Sequence, residues 1–280
     1  MQLQNSTAEL YIPDGTPEEA ALSRTTDLCI AAHQDDIEIM AFAPAADCYG
    51  KRDKWFTGVV VTDGAGSPRN GVYSDYTDEE MKSVRITEQK NAAAVGGYAA
   101  QFLLSYSSAE VKKKNDAMIH EIASVIKACA PKRLYTHNLA DKHDTHVAVA
   151  LRVIAALRSL SPEDRPEKVY SLEVWRGLDW LCDSDKVCFN TSSHPNLASA
   201  LLGVYDSQIA GGKRYDLAAV GRRLANATFF ESHNTDECDS MSYGLDITDL
   251  VYSNMDEKAF ICAYIRRFEE EVTDRIKRLH

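Results

Sequence analysis

An uninterrupted apolar run, Leu28-Cys29-Ile30-Ala31-Ala32, ends abruptly in His33-Gln34-Asp35-Asp36. A run this short and apolar at every position reads as a strand covered on both faces, the kind found in parallel sheets. Its end delivers one imidazole and two adjacent carboxylates to a single rim. Adjacent side chains diverge, so the two carboxylates can take different roles. Imidazole plus carboxylate is a zinc ligand set, and a second carboxylate nearby can serve as a base. The other reading is a helix N-terminus with Asp35 or Asp36 as its cap.

Similar runs recur along the chain, separated by helical patterns. Strands are expected over 55–62, 103–106, 132–136, 169–175 and 187–190. Helices are expected over 78–95, 116–129, 147–157, 195–205, 210–226 and 256–279, the first ended by Gly96-Gly97. That alternation predicts an α/β, Rossmann-like three-layer fold, with a mostly parallel sheet flanked by helices. Residues 1–280 read as a single domain, with 1–23 an irregular lead-in and 256–280 a charged C-terminal helix. The apolar side of that helix could pack on the domain or on a second subunit, so a homo-oligomer stays open. The Gly/Asn/Ser/Tyr-rich stretch 64–76 reads as a mobile loop near the crevice. Its Gly64-Ala65-Gly66 is no phosphate loop, because Arg69 stands where a third glycine is needed.

Three of the eight histidines fall in Tyr135-Thr136-His137-Asn138-Leu139-Ala140-Asp141-Lys142-His143-Asp144-Thr145-His146, between a strand and an apolar helix. Loops at the carboxyl ends of strands form the ligand crevice of an open α/β sheet. If two such loops meet there, His33, Asp36 and His146 make a three-ligand metal site with a fourth position open. His143 can share a face with His146 across three residues, or simply cap and pack. His137 reads as structural, closing its strand.

Together these motifs resemble the PIG-L/LmbE-type zinc N-deacetylases, which act on N-acetylglucosaminyl lipids and on precursors of low-molecular-weight thiols. The family's His-Pro-Asp-Asp-Glu stands here as His33-Gln34-Asp35-Asp36-Ile37-Glu38, and its Asp-x-His-x-Asp-His as Asp141-Lys142-His143-Asp144-Thr145-His146. Thr62-Asp63-Gly64, Arg85-Ile86-Thr87-Glu88 and Tyr205-Asp206-Ser207-Gln208 resemble further family segments, in matching order over about 24–235. The resemblance implies Zn2+, or another divalent metal, on His33, Asp36 and His146. It implies Asp35 as general base and His143 as oxyanion stabiliser or proton donor. Arg85 becomes a substrate contact, against a surface ion pair with Glu88, and Ser207 and Gln208 lie near the site. Two positions depart from the pattern. Gln34 replaces a proline, which is expected to loosen the loop. Thr145 replaces the aspartate expected to orient His143, a task left to Asp144 or Asp141.

The implied function is hydrolytic removal of an N-acetyl group from an N-acetylglucosamine-containing small molecule. A catalytically inactive sugar- or metal-binding protein of the same fold, and a metal phosphohydrolase built on His143-Asp144, are the alternatives. A barrel-type polysaccharide deacetylase fits the strand–helix alternation poorly. His233 reads as a packed histidine before a second acid. The net charge of −11 argues against non-specific nucleic-acid binding. No apolar run has transmembrane length, and the N-terminus lacks the pattern of a secretory signal. Seven scattered cysteines without a Cys-x-x-Cys pair suit a reduced, cytoplasmic setting.

Overall fold

The computed structural model describes residues 1 and 3–280. One sheet of eight strands forms the centre, in the order β1-β4-β3-β2-β5-β6-β8-β7. The strands are β1 (Glu9–Tyr11), β2 (Asp27–Ala31), β3 (Phe56–Thr62), β4 (Ala100–Tyr106), β5 (Arg133–His137), β6 (Lys168–Leu172), β7 (Val187–Asn190) and β8 (Met241–Asp246). Strands β4-β3-β2-β5-β6 pair in parallel, while β1, β8 and β7 add antiparallel edges. The predicted mixed α/β architecture with a mostly parallel sheet and flanking helices is the one observed. An all-helical metal phosphohydrolase of the His-Asp type is thereby excluded.

β2 is apolar throughout because it is covered on both faces. Leu28 and Ile30 join Val59, Phe102, Leu134 and the Asp116–Cys129 and Asp144–Ser159 helices in one core. Cys29 and Ala31 face the other way, into a core with Ile37, Met40, Val60 and Tyr135. After β2 the chain moves to β3 and β4 on one side, and after β5 it moves to β6 on the other. β2 and β5 therefore flank the topological switch point, where α/β sheets open a crevice at the strand carboxyl ends.

Several boundaries differ from expectation. The lead-in 1–23 contains β1 and the Glu18–Ser23 helix. β6 stops at Leu172, leaving Trp175 in the loop beyond it. The expected 195–205 helix ends at Gly203, and a separate short helix, Asp206–Ile209, follows it. The expected 210–226 helix begins only at Tyr215 and runs to Phe229, because Gly212 takes φ +103° ahead of it. β8 has no continuous apolar run to announce it. Its Gly244 is a packing requirement: a Cβ there would lie 2.8 Å from both Leu172 Cδ2 and Phe189 Cε2.

The Glu257–Leu279 helix, capped by Asp256, buries only Phe260 and Ile261, and Ile265, Phe268, Val272, Ile276 and Leu279 stay exposed along it. Among the described residues no helix is long and apolar enough to cross a membrane.

Candidate functional site

The loop after β2 and the helix after β5 bring three donor atoms together. His33 Nδ1 lies 3.1 Å from Asp36 Oδ2 and 3.1 Å from His146 Nε2, and His146 Nε2 lies 3.3 Å from Asp36 Oδ2. Tetrahedral zinc with ligands at ~2.0–2.1 Å holds its donors roughly 3.3 Å apart, so this triangle has the size such an ion requires. Wider groupings add His143 to the two histidines, or His137 to Asp36 and His146. His137 is spent: its Nε2 accepts the Ala32 N–H at 2.8 Å, which ties β5 to the end of β2. That is the strand-closing role expected of it.

The capping alternative for Asp35 and Asp36 can be checked directly. Asp35 occupies the N-cap position of the Asp36–Met40 helix, but no side chain caps that helix. The Asp36 carboxylate turns back to accept the His33 N–H at 2.7 Å. Asp35 sits at φ +89°, a conformation that costs a non-glycine residue on the order of 1–3 kcal/mol. Its surroundings hold it there. Asp35 N–H donates to Gln89 Oε1 at 3.3 Å, and its Oδ2 accepts from Arg85 Nη2 at 2.8 Å.

Arg85 is 1 % exposed, so it is not a surface ion pair. Its guanidinium also donates to Glu88 at 2.9 Å, to Ser207 Oγ at 3.3 Å and to the Gln34 carbonyl. Arg85 thus holds Asp35 while also lining the cleft, with its Nε left without a partner. Ser207 is part of the same arrangement, donating its N–H and Oγ–H to Glu88, each at 2.7 Å. Gln208 Nε2 donates to Ser207 Oγ at 3.2 Å and lines the cleft. Gly64, at φ +77°, lets the β3 loop touch this cluster: a Cβ would come within 3.0 Å of Arg85 Cβ and 2.7 Å of Gln34 Oε1. Gln34 does not loosen its loop. It is buried and donates to the Thr62 carbonyl at 3.0 Å, tying the ends of β2 and β3 together.

The task left open by Thr145 falls to Asp141, in altered form. Its Oδ2 lies 3.5 Å from His146 Nδ1 and accepts the Trp175 N–H at 3.1 Å, while Oδ1 accepts the His143 N–H at 2.9 Å. A carboxylate behind a ligating imidazole fixes its orientation. Asp144 is exposed. Thr145 Oγ1 and His143 Nδ1 are both buried without a partner, so nothing orients the His143 ring from behind.

The electrostatics separate the two adjacent aspartates. Burial, opposed by Arg85 and reinforced by Asp36, raises Asp35 to about 7. Asp36 is equally buried, yet His146 and His33 hold it well below the usual carboxylate range. Burial lowers His146, but Asp36 and Asp141 outweigh it and raise the imidazole to about 9. Burial and the neighbouring His146 and His33 lower His143 to about 4, so its imidazole is neutral at pH 7.

Beneath the site lies a buried cluster that the sequence did not announce. Glu38 accepts from Tyr205 at 2.5 Å, from Tyr98 at 2.9 Å and from Gln89 at 3.1 Å. Burial raises Glu38 from 4.5 to about 7. A carboxyl that binds its proton more tightly when folded stabilises the fold fully below about pH 4.5 and loses that contribution as pH rises through 7. The metal-free protein is therefore expected to lose stability relative to Glu38→Gln between pH 5 and pH 8, by on the order of 1–3 kcal/mol. Paired melting curves at the two pH values test this, and parallel curves would contradict it.

The cleft over the triangle has a volume of about 460 Å³ and includes His33, Asp35, Asp36, His143 and Thr145 in its lining. Gly64, Gly66, Ser67 and Pro68 from the 64–76 stretch form part of its wall. That stretch is pinned elsewhere by Tyr73, which donates to Asp206 at 2.7 Å. Trp175, Lys213 and Tyr215 also line the cleft and were missed in the sequence. Each comes from a loop or helix start whose position depends on a misplaced boundary. His233 is exposed after the Tyr215–Phe229 helix and does not line the cleft.

Residues 28–157 match the family model described as PIG-L, GlcNAc-PI de-N-acetylase. Comparison with curated proteins gives no match. Among solved structures, N,N'-diacetylchitobiose deacetylase from Pyrococcus horikoshii superposes with a TM-score of 0.66 at 12% identity, covering 83% of this chain and 86% of that one. The 4-carboxy-2-hydroxymuconate hydratase of Pseudomonas putida gives 0.62 at 15%, covering 83% and 99%. A conserved protein from Thermus thermophilus gives 0.61 at 17%, covering 79% and 93%. At such identities the likeness establishes the fold, and this fold carries both a deacetylase and a hydratase, so the reaction must be argued from the site.

Proposed function

We propose, from the match of residues 28–157 to the PIG-L family model, that the chain is a metal-dependent amidase removing the acyl group from an N-acylated amino sugar. The observation that carries this reading is the donor triangle of His33, Asp36 and His146 at the sheet's switch point, with Asp35 next in the chain. The donor set of two imidazoles and one carboxylate suits Zn2+. Zinc held there would polarise the amide carbonyl and bring the pKa of water towards about 7.

The chain's own groups do the rest. Asp35, fixed through Oδ2 by Arg85, takes a proton from the attacking water and returns it to the leaving nitrogen. With a cation held in the triangle, Asp35 would ionise more readily than burial alone allows and so could accept the proton. His143, being neutral, donates an N–H to the carbonyl oxygen as negative charge develops there. The ring of Trp175 and the edge of Tyr215 give a sugar flat apolar surfaces, and Ser67, Gln208 and Lys213 offer hydrogen bonds to hydroxyls.

The test is bound metal per chain in the wild type and in His146→Ala, followed by amine release from N-acylated glucosamines. About one zinc per wild-type chain and at least tenfold weaker retention in His146→Ala are expected. Equal metal in both, or none after zinc reconstitution, would break the constellation. Full occupancy without amine release would favour a binding protein that has kept the fold.

A further inference from the structure

Two cavities meet at the donor triangle, and Asp36 lines both. The larger is the cleft described above, which also contains Asp35 and His143. The smaller, about 250 Å³, has neither of those in its wall. Ile39, Val174, Ala218 and Ala219 line it, and Trp175 and Tyr215 stand between the two cavities. Their rings meet edge to face at 6.1 Å.

Of the charged residues around the smaller chamber, Asp36 belongs to the triangle, Lys142 is exposed with its ammonium 5.8 Å from the Trp175 ring centroid, and the other three make hydrogen bonds within the protein. Arg222 donates to the Val174 carbonyl, and Arg223 donates to the carbonyls of Glu38 and Ile39 at 2.7 and 2.9 Å. The Glu173 carboxylate accepts from Leu178 N–H at 3.0 Å, Tyr243 N–H at 3.0 Å and Asn226 at 2.6 Å. Ser242 Oγ and Arg223 Nε are left without partners. A polyol would find few hydrogen bonds here, whereas a short hydrocarbon chain would meet aliphatic and aromatic walls.

The position of Asp35 sets the orientation. Hydrolysis joins a water oxygen to the carbonyl carbon and breaks the C–N bond. The water's proton reaches the nitrogen through Asp35, and a carboxylate and a free amine leave. The nitrogen must therefore lie on the side of Asp35, in the larger cleft with its polar rim. The acyl substituent points away from it, past Asp36 and into the smaller chamber. We propose that this chamber is an acyl-chain pocket, and that the protein prefers amino sugars carrying N-acyl chains of roughly four to six carbons over N-acetyl ones. An apolar cavity of about 150 Å³ holds a benzene ring, so the chamber is oversized for a methyl group. The inference rests on the amidase reading above.

Zinc-loaded protein would be assayed for amine release from N-acetyl-, N-butanoyl- and N-hexanoylglucosamine. Each methylene that enters the pocket is expected to raise kcat/KM about fourfold, up to the pocket's length. Ala219→Phe fills the chamber from a buried position, and Ala218→Phe does so from an exposed one that spares the fold. Both are expected to lower the hexanoyl-to-acetyl ratio by at least tenfold. Calorimetry on the metal-free chain adds a readout independent of turnover: hexanoate binds more tightly than acetate, and Ala218→Phe removes the difference. Acetyl cleaved as fast as hexanoyl would overturn the pocket and leave the amidase intact. A hexanoyl preference unchanged in both variants would place the chain elsewhere and overturn it too. Release from none of the three substrates would instead remove the amidase reading, and the pocket with it.

Discussion

Asp35→Asn is expected to lower amide hydrolysis by about 10²–10⁴-fold while leaving the metal content of the chain unchanged. The substitution preserves shape and removes only the ability to take a proton. Asparagine tolerates positive φ better than most residues, so the +89° backbone at this position survives the change. Its side-chain oxygen can still accept from Arg85, which holds Asp35 Oδ2 at 2.8 Å. The neighbouring triangle keeps all three donors, because Asp35 contributes none of them. Steady-state kinetics and metal analysis on the same preparation separate the two effects. Near-normal kcat with metal retained would move the base elsewhere. Metal lost together with activity would mean that Asp35 supports the triangle itself.

Arg85→Ala is expected to destabilise the protein by about 3–5 kcal/mol, measured by urea unfolding of the metal-free chain. Arg85 lies between the Asp35 and Glu88 carboxylates, both buried. Its removal leaves two carboxylates without a counter-charge, the Gln34 carbonyl without its donor, and Ser207 without one of its partners. Protonation of Asp35 relieves part of the cost as pH falls, so the destabilisation is largest above pH 7. An exposed Arg85–Glu88 pair would cost less than about 1 kcal/mol, and that result would contradict the buried arrangement. Arg85→Lys restores one charge but not the several directed donors, and is expected to recover only part of the loss.

The candidate ligands were legible in the sequence because two strand ends carry them in short, dense motifs. His33 and Asp36 follow β2 by no more than five residues, and His146 sits in the first turn of the helix after β5. Once the alternation of strand and helix is read, parallel-sheet topology places such ends side by side. Arg85 was also visible, but its environment was not. Whether an arginine faces solvent or lies between two carboxylates depends on Ser207, 122 residues away in the chain. Asp141 could be nominated as a stand-in for the missing aspartate at position 145. That it serves His146 rather than the His143 ring depends on the pitch of one loop.

Local sequence determined the fold class and the triangle. Uninterrupted apolar runs can be satisfied only between two helical layers, and residues adjacent to a strand end travel with it. Tertiary structure alone decided the walls around the triangle. Glu38, Gln89, Tyr98 and Tyr205 meet from four separate segments, and their apolar neighbours and polar atoms give no periodic signal. The chamber beside Asp36 arises the same way, from Ile39, Val174 and Ala219. Burial, which splits the two adjacent aspartates into one raised and one lowered carboxyl, belongs to the assembled fold and to no stretch of chain by itself.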